Sequence, residues 1–298
     1  MAKSFSLAMY PWVYTARYEE KGTWKESHLA KPHTTPAEEA KLSEDARAAL
    51  LASRNSFPEL PLVNYTSQYG LGCFEGLKAF PQKDGSLHIF RPIENAKRFR
   101  RSMEGLMMPG YPEKMFVDAV IETIHRNKKA GYAPVYDPAW EKENFTGGHS
   151  VYIRPFTYSE PAIGLGVSHQ PWVVVIATPV GAYFEPGSSK AVTTDRVRAT
   201  PRGTGWIKAA SNYVIPILAK KEAEKEGFME AVFLDSREGR YVEEGSSSNI
   251  FFRLKNGTLV TPDLKDTILP GINRMTVITL ARDMGVKTEE RQIGRAHV

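Results

Sequence analysis

One cysteine, Cys73, stands among 298 residues, so neither an intrachain disulfide nor a cysteine-based metal cluster can form. That scarcity suits a reducing compartment. Long apolar runs are also missing. The longest, Trp172 to Ala177, falls far short of the roughly 20 residues that span a bilayer. The N-terminal stretch from Met1 to Pro11 holds no apolar segment of signal-peptide length, so a cytoplasmic location is expected. Nor is there a block of one charge sign. The formal net charge is +5, and basic residues interleave with acidic ones, as in Lys220-Lys221-Glu222-Ala223-Glu224-Lys225-Glu226. Such interleaving marks a solvated helix face, so neither nucleic acid nor a membrane is expected as a partner. There is no internal repeat and no low-complexity tract.

What remains is ordinary globular composition, 42% hydrophobic and 24% charged. The length points to two domains, because single cores stop growing near roughly 250–300 residues. A helix is expected over residues 36–52, and a strand at 87–91. Pro92 then opens a helix through about Leu106. A further helix runs from near Pro112 to Gly131, with Met115, Phe116, Val120 and Ile124 on one face. Residues 133–149 suit a loop, and strands are expected at 151–156 and 172–177. The turn-rich stretch that follows reads as a linker, which divides the chain into a small domain (1–177), a linker (178–188) and a larger domain (189–298). Beyond it come a helix at 209–226 and a strand at 230–235. Segments 249–254 and 258–261 form a hairpin turned by Asn256-Gly257, and a last helix runs from near Asn273 to Gly285.

Five constellations bear on chemistry. In Gly203-Thr204-Gly205-Trp206-Ile207-Lys208, the lysine follows a glycine-containing turn among apolar neighbours. Lost hydration lowers a lysine's pKa and makes the neutral amine a nucleophile; the alternative is a snorkelling surface lysine. Tyr213 lies a little more than one helical turn on. Glu243 and Glu244 precede the bend Gly245-Ser246-Ser247-Ser248, where a carboxylate could meet backbone N–H groups or simply cap a turn. Leu269-Pro270-Gly271-Ile272-Asn273-Arg274 opens a helix whose N-terminus suits an anion, with Asn273 as its cap. In the basic run at 95–101 one arginine could fork onto a phosphate while the others stay solvated. Alternation puts Tyr152 and Arg154 on one strand face, as a carboxylate receptor or as a core tyrosine with a surface ion pair.

Taken in order, these segments resemble one family. Tyr-Gly-x-x-x-Phe-Glu-Gly-Leu-Lys-Ala-Phe at 69–80, Phe90-Arg91-Pro92 through Arg98, Tyr152-Ile153-Arg154-Pro155, Lys208 to Tyr213, Glu244 to Phe251, and residues 269–274 look like branched-chain amino-acid aminotransferases. The resemblance runs from about Leu62 to Ile293. It implies the fold-type IV class of pyridoxal-phosphate enzymes, an α/β (α+β) architecture of two domains with the cofactor in the cleft between them. It implies that Lys208 forms the Schiff base and shuttles the proton between substrate Cα and cofactor C4′. Glu244 would pair with the pyridine nitrogen and Tyr213 with the ring oxygen. Arg98 and the backbone of Ile272 and Asn273 would hold the phosphate. Tyr69, Phe74, Tyr152, Arg154 and Ser247 would bind substrate, apolar walls taking Leu, Ile or Val side chains and Arg154 the distal carboxylate of glutamate. The resemblance further implies a homodimer, turnover of branched-chain L-amino acids, glutamate and 2-oxo acids, and no metal.

Rivals within the fold are a D-amino-acid aminotransferase and aminodeoxychorismate lyase, against which the 69–80 block and Tyr-Ile-Arg-Pro argue. Outside it stands a non-catalytic ligand-binding protein. Two departures from the family are plain. Asn273 replaces a usual threonine, and members continue for tens of residues with a Gly-Thr-Ala loop over the substrate carboxylate. Residues 293–298 also match the translation of a common sequencing-adaptor string and are expected to be foreign. The larger domain is therefore expected to be incomplete, with unpaired sheet edges.

Overall fold

The computed structural model describes residues 7–30, 34–56, 58–181 and 190–294. The chain divides into two compact units, Met1–Pro186 and Gly187–Val298, and each is described by itself.

The first unit begins with strands β1 (Trp12–Tyr18) and β2 (Trp24–Ala30). Helices α1 (Pro36–Glu39), α2 (Glu44–Asn55) and α3 (Tyr65–Tyr69) follow. The single helix expected over 36–52 is thus two. Ser43 breaks the run by capping the second, its hydroxyl accepting from the Ala46 N–H. Next come β3 (Leu77–Pro81), β4 (Leu87–Ile89), α4 (Pro92–Gly105), α5 (Glu113–Lys129) and α6 (Ala139–Lys142), a single turn inside the expected loop. Strands β5 (Ser150–Tyr158) and β6 (Trp172–Val180) complete the unit.

Its six strands form one antiparallel sheet in the order β2-β1-β6-β5-β3-β4. β6 continues beyond the linker start expected at residue 178: Thr178, Pro179 and Val180 pair with Tyr152, Val151 and Ser150. Residues 182–188 of that linker lie outside the described residues.

α5 packs on β1, β6 and α4. The apolar period that marks α4 and α5 in the sequence is the face they bury. Phe99, Met103, Phe116 and Val120 are fully enclosed, and the Phe99 ring meets those of Tyr111 and Phe116 at centroid distances of 6.4 and 5.3 Å. Each such side chain contributes roughly 1.5–3 kcal/mol by leaving water. Along β5, Val151, Ile153, Pro155 and Thr157 are buried, while Tyr152, Arg154, Phe156 and Tyr158 are half-buried on the opposite face. This strand alternation carries the candidate substrate residues.

The second unit opens with β7 (Ala191–Thr194), then a 3-10 turn (Ala210–Tyr213) leading into α7 (Val214–Lys225). Strands β8 (Glu230–Leu234), β9 (Val242–Gly245), β10 (Phe252–Arg253) and β11 (Leu259–Thr261) follow. Helix α8 (Ile272–Asp283) and strand β12 (Thr288–Glu290) close it. One sheet runs β7-β8-β9 and another β10-β11-β12. The expected hairpin is the antiparallel pair β10 and β11, with Gly257 at φ +85 in the turn. α7 packs on β7 and β8, where Ala219, Ala223, Ala231 and Phe233 form a small core. Ile293, read from the sequence as foreign, is 1% exposed, and its carbonyl accepts from the Val242 N–H of β9. Residues 295–298 lie outside the described residues.

Candidate active site

The candidate residues fall in both units. In the second, the turn before α7 presents Lys208, whose Nζ lies 2.6 Å from the Tyr213 hydroxyl and 5.1 Å from its ring centre. Asn212 shapes this turn. Its amide donates to the carbonyls of Thr204 (2.7 Å) and Ile207 (3.0 Å), and the Thr204 hydroxyl donates to its Oδ1 at 2.6 Å. A side chain so engaged competes with regular helix bonding, which accounts for a 3-10 first turn where a continuous helix from 209 was expected. Gly205 is required by space. A Cβ there would fall 2.6 Å from Ala199 Cβ, 2.7 Å from the Thr267 carbonyl oxygen and 2.8 Å from that of Asp266.

Glu244, at the end of β9, is 4% exposed. Its carboxylate is paired with Arg198 Nη2 at 2.6 Å. It accepts from the Asn249 amide at 2.9 Å and from the Leu269 N–H at 3.2 Å. Burial pushes its pKa up to about 7 against the opposing pull of Arg198, the Leu269 N–H and Lys208; neighbouring Glu243 adds to the rise. Glu243 is also buried, its pKa raised by burial, and it accepts from the Thr267 hydroxyl at 2.6 Å. Asn249 also donates to the Leu269 carbonyl at 2.9 Å, which ties the acid's surroundings to the turn before α8.

α8 starts at Ile272, with Gly271 as its N-cap and no side-chain cap. Asn273 therefore sits inside the first turn, exposed, and does not cap the helix as expected. The cap thus falls at Gly271, two residues before Asn273, where Asn249 Oδ1 lies in the space a Cβ would need. Ser247 is exposed on the bend after β9.

In the first unit Arg154 lies 4.4 Å over the Phe74 ring centre and donates to the Tyr152 hydroxyl from Nη2 (2.7 Å) and Nε (3.2 Å). Lys78, the register partner of Tyr152, has its pKa lowered by burial. Tyr69 is 45% exposed at the end of α3 and its hydroxyl accepts from the Gly164 N–H at 3.1 Å. Arg98 differs from expectation. Its fork grips fully buried Glu75 through Nε (2.7 Å) and Nη2 (2.8 Å), while the Asn95 amide donates to the same carboxylate at 2.7 Å. The bidentate partner assigned in the sequence to a phosphate is thus an acid of this unit.

Within its unit, then, the structure joins Lys208 to Tyr213, with Glu244 in reach of the lysine's field; Phe74, Tyr152 and Arg154 form a second group. Arg198, Asn249 and Glu75 were not foreseen. Arg198 sits in the charged stretch Asp195-Arg196-Val197-Arg198, which reads as surface; Glu75 lies inside a quoted motif but was given no role.

The family model for "Amino-transferase class IV" matches residues 72–298. A chloroplastic branched-chain-amino-acid aminotransferase 5 of Arabidopsis thaliana is 39% identical over 229 residues, 76% of this chain and 52% of that protein. The chain spans between 52% and 60% of the length of the curated relatives it matches. A branched-chain aminotransferase of the archaeon Thermoproteus uzoniensis, solved with norvaline, has a TM-score of 0.69 at 30% identity, over 81% of this chain and 75% of that one. A branched-chain amino acid aminotransferase of Thermobaculum terrenum in its PLP form has a TM-score of 0.70 at 26% identity, over 97% and 79%.

Proposed function

The chain belongs to the amino-transferase class IV family, of fold type IV, and from that premise we propose that it transfers the amino group between branched-chain L-amino acids and 2-oxoglutarate in two half-reactions, using pyridoxal 5′-phosphate. One observation carries the proposal: a single compact unit places a lysine amine on a phenol hydroxyl and sets a buried carboxylate within that lysine's field. Norvaline in the Thermoproteus uzoniensis structure has an unbranched apolar side chain, which supports an apolar substrate class.

The residues present fit the cofactor by their chemistry. Lys208 is a part-buried amine, Glu244 a buried acid, and Gly271 an N-cap without a competing side chain at the start of a twelve-residue helix. When bound, pyridoxal phosphate supplies an aldehyde that takes up an amino group and a ring that draws electrons from the substrate's Cα. Lys208 would hold the cofactor and move the proton between the substrate's Cα and the cofactor's C4′. Tyr213 would orient the ring oxygen, and Glu244 would pair with the ring nitrogen. The first turn of α8 would offer the N–H groups of Ile272 and Asn273 to the phosphate. Tyr69, Phe74, Tyr152, Arg154 and Ser247 bind substrate: the aromatic rings accept an apolar side chain and Arg154 the distal carboxylate of glutamate.

The two compact units serve as the small and large domains, and the working protein is a cytoplasmic homodimer. Among the described residues no helix is long and apolar enough to cross a membrane.

A visible absorption spectrum tests the function. The purified chain with pyridoxal phosphate is expected to show the band of lysine-bound cofactor, and L-leucine is expected to bleach it toward the pyridoxamine form. D-alanine should leave it standing. A band bleached by D-alanine and not by L-leucine would move the assignment to a D-amino-acid enzyme, and no band at all would remove it.

A further inference from the structure

We propose that Arg198 is a positioning residue: its guanidinium holds Glu244 as a carboxylate, so that the proton shared by Glu244 and the cofactor's ring nitrogen rests on the nitrogen. The proposal depends on the cofactor reading given above.

The geometry carries it in three steps. First, the pair is enclosed. Arg198 and Glu244 side chains are 8% and 6% exposed, and Nη2 stands 2.6 Å from Oε1. A carboxyl with no cation in such surroundings keeps its proton, because the charged form loses its hydration. Second, the guanidinium cannot drift. The same Nη2 donates to the Gly205 carbonyl at 3.0 Å and to the Thr267 carbonyl, the two segments that a Cβ on Gly205 would force apart. Its Nε is buried without a hydrogen-bond partner among the described residues, a cost the fold accepts to keep the cation here. Third, the cation is directed to one of two adjacent buried acids. Among the described residues Glu243 accepts from the Thr267 hydroxyl and feels Arg198 without an ion pair, while Glu244 is paired with the guanidinium and accepts from the Asn249 amide and the Leu269 N–H.

The charged groups acting on Glu244 are Arg198 from the segment after β7, Glu243 beside it on β9, and Lys208 from the turn before α7. Arg198 and Lys208 favour the carboxylate; Glu243 opposes it. An arginine is suited to the task because it stays charged throughout the accessible pH range and cannot take up the proton itself. With a fixed cation on Oε1, the carboxylate's proton affinity falls and the ring nitrogen becomes the better base. A nitrogen that keeps its proton is the condition for drawing electrons from the substrate.

The test uses the full chain, first without cofactor. Carboxyl-labelled glutamate is followed by NMR through a pH titration, with Glu244→Gln assigning the signal. Glu244 in the unaltered protein is expected to titrate near pH 7, as burial and Arg198 together dictate. Arg198→Gln should raise that midpoint by about 1–3 pH units, the range expected when a cation adjoining a carboxylate is lost. Arg198→Lys, which keeps the charge, should recover most of the difference. Because Arg198→Gln can impair folding, the Nε resonance of Arg198 in the unaltered protein gives an independent reading. It is expected to shift with the same midpoint as Glu244. An Arg198 resonance indifferent to the Glu244 titration, or a Glu244 midpoint unmoved in a folded Arg198→Gln protein, overturns the proposal.

In a second arm the protein is loaded with ring-nitrogen-labelled pyridoxal phosphate. The nitrogen should be protonated in the unaltered and Arg198→Lys proteins and lose its proton in Arg198→Gln; a nitrogen equally protonated in all three overturns the proposal. Failure of the unaltered chain to take up cofactor would instead defeat the functional reading, while the cofactor-free titration would still decide the role of Arg198.

Discussion

Lys208→Ala is expected to lower the rate of amino transfer by about 10²–10⁴-fold, the range removed when a positioned proton-transfer group is lost. The amine has two duties in the proposed reaction, attaching the cofactor and moving the Cα proton, and no neighbouring base on the 3-10 turn replaces it. Tyr213, at 2.6 Å from Nζ, is a phenol that accepts and donates without carrying the chain of transfers. The loss should therefore appear in kcat, and the band of lysine-bound cofactor should vanish with it. Far-ultraviolet circular dichroism should stay unchanged, because the turn is held by Asn212 rather than by the lysine. Lys208→Arg is expected to be as inactive, since a guanidinium keeps its charge and offers no neutral amine. A Lys208→Ala protein with near-normal turnover would exclude this lysine from the chemistry.

Glu75→Ala is expected to cost about 3–5 kcal/mol of the stability of the first unit, measured by urea unfolding. The carboxylate is fully buried, and Arg98, whose side chain is 9% exposed, binds it with both forks. Removing the acid takes away the carboxylate that balances this buried guanidinium. Glu75→Gln should cost less, because one amide oxygen still accepts from Arg98 or Asn95. A comparison within the same unit sets the scale. The pair Lys114–Asp118 on α5 is exposed on both sides, and Lys114→Ala should leave the unfolding midpoint unmoved. If Glu75→Ala unfolds at the same denaturant concentration as the unaltered protein, the pair contributes no more than a surface contact.

These two residues also mark how far the sequence could be read. Helices α4 and α5 and strands β5 and β6 follow directly from apolar period and turn chemistry, because each buries one largely apolar face; the polar residues on those faces, such as Asn95 and Arg98 on α4 and Asn127 on α5, are hydrogen-bonded. The Lys208–Tyr213 pair was legible only as two residues a little more than one helical turn apart; it is the 3-10 turn at Ala210–Tyr213 that brings the hydroxyl to the amine. Strands β1 and β2 escaped notice. β2 is an edge strand whose Lys25, Glu26 and Ser27 are all exposed, so no alternation is written into it. Its partner β1 buries Val13, Tyr14, Thr15 and Ala16 in succession, a run without period.

Arg198 and Glu75 were hidden differently. An ion pair between residues far apart in the chain leaves no mark at either position, and a buried arginine looks in sequence like any surface arginine. The carboxylate partner of Arg98 lies in the Phe74-Glu75-Gly76 segment, yet only the fold shows that this acid faces α4. Likewise, Asn273 has the residue type of a helix cap. The start at Ile272 was decided by the close approach of Asn249 to Gly271, a contact between distant segments.

Borohydride reduction of the chain saturated with pyridoxal phosphate, followed by digestion and mass spectrometry, locates the amine that carries the cofactor. Reduction fixes the cofactor to whichever amine carries it. The added mass is expected on the peptide containing Lys208 and is expected to be lost when L-leucine is added before the reductant. Modification spread over exposed lysines such as Lys221 and Lys225, with Lys208 unmodified, would contradict it.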